Sequence, residues 1–281
     1  MLYAARQEFV RALEVVAQAL DMHEDRPFHS LALVNGLKAL DEAADFHARR
    51  RDIDRDLRSV AASHRTPVLQ KSTAPVSPLA AAQLYYAHAQ EQLALAVRPV
   101  PAGSAALCAL GKLHSELARE SSSFVSNAAS QVKVFHQAAL LVDNNNWEAA
   151  NELAVLLVGS GNLAEARGWL LHSVSVAPKA ESWHNLARVH EMFGETQLAG
   201  AAQAEALRLA HRGPDGLPAP INSPVDVQWV APEEFAQRST TLPAEQGTKQ
   251  TNAPQGSTPA AGVQQAQQPA EPGGWRWPWK R

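Results

Sequence analysis

Two segments of this chain, Leu153-Ala-Val-Leu-Leu-Val-Gly-Ser-Gly161-Asn-Leu-Ala-Glu-Ala166 and Leu186-Ala-Arg-Val-His-Glu-Met-Phe-Gly194-Glu-Thr-Gln-Leu-Ala199, are one pattern written twice. Leu153, Ala154, Gly161 and Ala166 stand against Leu186, Ala187, Gly194 and Ala199 with an offset of 33 residues each time. A fixed period of this length signals a helical repeat, a helix pair that cannot bury its apolar face alone and so stacks on a neighbour. Gly161 and Gly194 fall where the first helix of each pair must stop and reverse, which favours a residue that tolerates positive φ. Ala154, Ala166, Ala187 and Ala199 let two helix backbones approach closely. Pro178 ends the second helix of the first pair, because proline cannot continue the hydrogen-bond ladder.

The run from Trp183 through Leu186, Ala187, His190, Gly194 and Ala199 to Ala206 and Leu207 resembles a tetratricopeptide repeat. The resemblance is specific over residues 147–210. The preceding unit departs from the pattern at Ala150 and Leu157, where the family prefers large aromatic residues, and Ser173 stands where alanine is usual. A looser copy covers residues 105–142: Leu107, Leu110, Gly111 and His114 resemble the first helix, and Phe135 and Ala138 the second. Its connection carries an insertion, placed in the serine-rich run Arg119 to Ser126. The resemblance implies an all-α fold, a short right-handed solenoid of antiparallel helical hairpins with a concave, partner-binding groove. Carried across by register, the groove positions are Lys112 in the looser unit, Asn151, Glu152 and Val155 in the next, and His184, Asn185, Arg188 and Glu191 in the last. This mixture of amide, acid and base suits an extended polar peptide. The lysine and arginine pairs with which some family members clamp a terminal carboxylate are missing.

Upstream, Phe9, Leu13, Val16, Ala17 and Leu20 form one apolar stripe, and Leu33, Leu37, Leu40 and Ala44 form a second. These two stretches are expected to make an antiparallel hairpin, a divergent repeat or helical cap. Arg49, Arg50 and Arg51 abut Asp52, Asp54 and Asp56, which reads as a solvated, self-neutralised run. A short helix is expected over 53–62, with Leu57 and Val60 inward, and a loop over 66–76. Ser77 followed by Pro78 is a strong helix start, and that helix is expected to run to about Val97. Tyr85 and Tyr86 within it are expected to pack against neighbouring helices. Pro99, Pro101 and Gly103 separate it from a helix opening near Ser104. The Asn144-Asn145-Asn146 turn can cap a helix beginning at Trp147. No alternating strand pattern occurs before residue 212.

The resulting division is a divergent helical region over 1–98, a repeat array over 102–211 and a tail over 212–281. The tail is dominated by Pro, Gln, Ala, Gly, Thr and Ser and has too little apolar surface to offset its ordering entropy, so disorder is expected. It ends in Trp275, Arg276, Trp277 and Trp279, followed by Lys280 and Arg281. Indoles interleaved with cations have the chemistry of a membrane-surface or partner anchor, although so short a run binds weakly alone.

Composition excludes several functions. With 25 basic and 28 acidic residues the chain has no overall electrostatic footprint for nucleic acid. No stretch of the sequence is long and apolar enough to span a membrane. Met1 to Leu20 carries Arg6, Glu8, Arg11 and Glu14, which marks an amphipathic helix and no signal peptide, so the cytoplasm is the expected compartment. The single cysteine, Cys108, lies in an alanine-rich helix and is expected to be a buried, inert thiol. The 11 histidines show no metal-ligand spacing, and His184 and His190 point to different faces of one helix. No nucleophile elbow, phosphate loop or dinucleotide fingerprint is present. The sequence therefore points to a noncatalytic adaptor or scaffold, without metal or cofactor, that binds a protein or peptide. The alternative is a membrane-peripheral recruiting protein held by its C-terminal Trp/Arg motif.

Overall fold

A computed structural model describes residues 2–46, 57–69, 76–120 and 128–211. The arginine run at 49–51, residues 121–127 of the serine-rich insertion and the whole tail, with Trp275, Arg276, Trp277 and Trp279, lie outside the described residues.

The described residues form ten α-helices and one 3-10 turn, with no strand among them. In order these are α1 (Leu2–Glu24), α2 (Phe28–Ala43), the 3-10 turn (Ala44–Phe46), α3 (Leu57–Ser63), α4 (Pro78–Val97) and α5 (Pro101–Glu120). They continue with α6 (Ala128–Val142), α7 (Trp147–Gly159), α8 (Leu163–Val176), α9 (Ala180–Met192) and α10 (Thr196–Ala210). All belong to one compact unit, within which α1 packs on α5 and α4 on α6.

Local chemistry sets most of the boundaries. Ser77 Oγ accepts from the Ala80 amide at 3.3 Å, with Pro78 in the first turn, and α4 ends at Val97. Asn146 Oδ1 accepts from the Ala149 amide at 2.9 Å and starts α7. The α1–α2 turn is closed by Asp21, whose carboxylate accepts the His29 and Ser30 amides at 2.6 and 3.0 Å. This satisfies two of the free donors at the start of α2. Gly161 and Gly194 adopt φ of 80° and 74° in the α7–α8 and α9–α10 turns. A methyl group added at either meets nothing within 4 Å, so backbone conformation alone calls for glycine there.

Three hairpins follow one another at the C-terminal end: α5 packs on α6, α7 on α8 and α9 on α10, while α6 meets α7 and α8 meets α9. Their shared core holds Leu107, Leu110, Phe135, Leu153, Leu157, Leu170 and Leu186, all almost fully buried. Ala154, Ala166, Ala187 and Ala199 are all buried. The N-terminal half differs from expectation. Although α1 touches α2, the main partner of α2 is α4, and α1 lies chiefly along α5. Gly36 makes the α2–α4 approach possible, since a Cβ there would stand 2.8 Å from Leu93 Cγ. The chain between α2 and α4 is fastened by buried Glu42, which accepts the Arg65 and Thr66 amides at 2.7 and 3.2 Å and the Thr66 hydroxyl. The expected short helix is α3, with Leu57 and Val60 packed on the core.

The opening of α5 also departs from the sequence reading. Gly103 and Ser104 lie inside this helix, which begins at Pro101, and both are buried. The prolines mark the corner, and Gly103 belongs to the packing.

Candidate partner-binding face

Helix α7 touches both α5 and α9, and each of the three packs on its own hairpin partner. Two hydroxyl pins hold this arrangement. Ser173 on α8 is fully buried; its Oγ donates to the Trp147 carbonyl at 2.8 Å and lies 2.9 Å from Ser182 Oγ. With the Ser173 proton committed to the carbonyl, Ser182 donates to Ser173, so α7, α8 and α9 are tied at one point. Ser104 on α5 does the same one unit earlier: it donates to the Ala139 carbonyl at 2.8 Å and accepts from Asn146 Nδ2 at 2.9 Å. Serine at 173, a departure from the repeat pattern, therefore has a bonding reason. Ser173→Ala is expected to destabilise by about 2 kcal/mol, because it leaves a buried Ser182 hydroxyl and a carbonyl without partners. Equilibrium unfolding that showed no loss would contradict this bonding.

The positions carried across by register do not all present themselves to a ligand. Asn185 Nδ2 donates to Asn151 Oδ1 at 2.9 Å, and Asn151 Nδ2 donates to Glu181 Oε1 at 3.3 Å, so these amides bridge α7 and α9. Asn151 is buried. His184 turns toward α10, its Nδ1 3.3 Å from Gln203 Oε1. Lys112 pairs with Glu148 at 2.6 Å. Val155, Arg188 and Glu191 are exposed, and Glu152 is half-buried. No hydrogen bond or ion pair engages the side chains of Glu152, Arg188 or Glu191 among the described residues.

Charge on this face is uneven. Burial pushes the Glu152 carboxyl above its usual range; Lys112 acts against this, while Glu181, Glu148 and Glu116 push the same way as burial. Register names Glu152 on this face and does not name Glu116, Glu148 or Glu181, which act on it electrostatically. The signal was available in the i, i+4 spacing of Glu148 and Glu152 on one helix surface.

Elsewhere, an Asp45–His64–Tyr85 chain has the look of an acid–base relay, with His64 Nδ1 2.8 Å from Tyr85 Oη and Nε2 3.2 Å from Asp45. Tyr85 is 0 % exposed, which leaves its hydroxyl no route to a substrate. The chain fastens the 3-10 turn and His64 to α4. Cys108 is buried, and burial, with Glu148 and Glu152 adding to it, pushes its thiol up to about 12. His190 is buried and its Nδ1 lies 2.5 Å from Glu195, which also takes Arg167 at 3.0 Å. Among the described residues no three His, Cys, Asp or Glu side chains come together in a way that could hold a metal ion. No helix among them is long and apolar enough to cross a membrane.

Comparison of the chain with protein-family models and with curated proteins returned no match.

Proposed function

We propose that α5 to α10 form a tetratricopeptide-like solenoid and that the protein is a noncatalytic adaptor, which binds an extended segment of a partner across α5, α7 and α9. The reading is carried by the contacts of α7 with both α5 and α9, with Glu152, Arg188 and Glu191 left without bonded partners among the described residues and Val155 exposed on α7. Peptide grooves of helical repeats have this construction: rigid helices in fixed register supply the surface, and side chains at successive turns supply selectivity. The hydroxyl pins and the Asn151–Asn185 bridge support it by fixing the spacing of neighbouring helices before any ligand arrives, which lowers the cost of binding.

The test is a double substitution on this face, Val155→Arg with Arg188→Glu. Both side chains are exposed and neither holds the fold, so helicity and melting temperature are expected to stay unchanged. Capture of the specific partner by the full chain, measured quantitatively against the unsubstituted protein, is expected to fall about tenfold or more. Undiminished capture assigns binding to another surface.

A further inference from the structure

The last hairpin is joined to the array by a clasp. Glu195, the residue before α10, uses one carboxylate for two elements: Oε2 accepts from His190 Nδ1 on α9 at 2.5 Å, and Oε1 accepts from Arg167 Nη1 on α8 at 3.0 Å. The Arg167 guanidinium also lies 4.7 Å from the centre of the Phe193 ring. Arg167 is thereby gripped on two sides by the α9–α10 turn, whose shape Gly194 sets with φ of 74°. In the preceding unit, 33 residues earlier, Leu157, Ser160 and Asn162 stand in place of His190, Phe193 and Glu195, and Gly200 stands in α10 where α8 has Arg167. Apolar burial holds α10 lightly. Its buried residues are Ala199, Ala202 and Ala206, while Leu198 and Leu207 keep 53 % and 51 % of their surface free. Helix α10 packs on α9, and α9 in turn meets α8 and α7. An end unit of a helical array with so small an apolar joint is the kind that opens as a whole. The link from Ala177 to Lys179, extended at both residues, can supply the hinge.

We propose that α9 and α10 form a hinged end unit, closed onto α8 by the Glu195 clasp, whose opening about Ala177–Lys179 withdraws α9 from the candidate docking face. Opening carries Asn185, Arg188 and Glu191 away from Asn151, Glu152 and Val155 as one body. The Ser173–Ser182 and Asn151–Asn185 bonds part in the same movement. A segment bound across α7 and α9 favours the closed form, and by the same coupling the strength of the clasp sets the affinity of the face. The opening stands on the clasp and the joint; its consequence for binding rests on docking at this face.

Hydrogen exchange of the full chain, read by mass spectrometry of its peptic fragments, measures the opening without any ligand. Exchange over α9 and α10 is expected to run about tenfold faster in Glu195→Gln and in Arg167→Met than in the unsubstituted protein, and to stay within about twofold over α5 and α7. Arg167→Met leaves the His190–Glu195 bond in place, so a matching response in the two variants ties the opening to the hold on α8. Ser173 and Ser182, whose hydroxyl oxygens lie 2.9 Å apart, can be replaced by a cysteine pair that bridges the joint. Combined with Glu195→Gln, the oxidised pair is expected to slow exchange in α9 and α10 again, and its reduction to release them. A rise confined to the α9–α10 turn, or spread equally over α5 to α10, overturns the hinged unit. The expected exchange pattern beside undiminished partner capture by Val155→Arg with Arg188→Glu keeps the hinge and overturns its coupling to binding.

Discussion

Gly103→Ala is expected to destabilise the protein by about 3 kcal/mol, while Gly200→Ala stabilises it by about 0.5 to 1 kcal/mol. Both glycines sit inside helices, and helix propensity alone assigns alanine the same gain at each. Packing reverses the sign at Gly103. A Cβ there would stand 2.4 Å from Val97 Cβ and 2.7 Å from its Cγ2, with Val97 itself fully buried at the end of α4. At Gly200 nothing lies within 4 Å. The contact at Gly103 involves the branch point of a rigid side chain, so rotation cannot relieve it, and the first turn of α5 must move. Ser104 is the next residue, and its bonds to Ala139 and Asn146 are the pin between α5, α6 and α7. Displacement at the α4–α5 corner therefore reaches the first hairpin of the array. Adding Val97→Ala is not expected to rescue Gly103→Ala, since alanine keeps the offending Cβ. Urea unfolding of the three variants measures the signs, and a neutral or stabilising Gly103→Ala is incompatible with this corner.

The same corner shows what the sequence could and could not reveal. Helices α7 to α10 were legible because the repeat supplies two readings of most positions, and the glycine and small-residue signals agree in both. Their boundaries follow from local groups such as Asn146 and Pro178. In the N-terminal half, Leu33, Leu37 and Leu40 declare that one face of α2 is buried, but an apolar stripe carries no address. The partner is α4, across a connection whose anchoring depends on Glu42 meeting Thr66 and on His64 meeting Tyr85, pairs that come together only in the fold. Gly36 and Gly103 read locally as weak helix formers. Their role exists only once Leu93 and Val97 are placed against them. The candidate face was legible to the same degree. Register names positions on α7 and α9, but hydrogen bonding between the helices decides that Asn151 and Asn185 hold each other and that Glu152 stays open.

Acidification from pH 7.5 to 4.5 is expected to remove about 5 kcal/mol of stability, well before carboxylate protonation becomes the dominant effect. The cause is a pair of histidines at the α5–α6 interface. His114 packs against Phe135 with ring centroids 5.0 Å apart, and Arg6 Nε donates to its Nε2 at 3.4 Å. Burial, with Arg6 adding to it, pushes this imidazole down to about 4. His136 sits over Gly111, is 1 % exposed, and its Nδ1 has no hydrogen-bond partner among the described residues. Burial, with Lys112 contributing, brings it down to about 4 as well. In the unfolded chain both titrate near 6.5. Between the two values the unfolded state binds protons that the folded state refuses, so stability is fully present well above 6.5 and falls as pH falls toward 4. Each group contributes on the order of 2.5 kcal/mol at pH 4.5. Glu152 and Asp41, whose carboxyls are raised chiefly by burial, oppose the trend only near the bottom of the window. The slope of unfolding free energy against pH should approach that of two protons near pH 5.5, about 2.7 kcal/mol per unit. His136→Met removes one titrating group while filling a similar volume, and should halve the slope. A flat profile in the unsubstituted protein would mean that these rings accept protons in place, which the packing of His136 on Gly111 leaves no room to solvate.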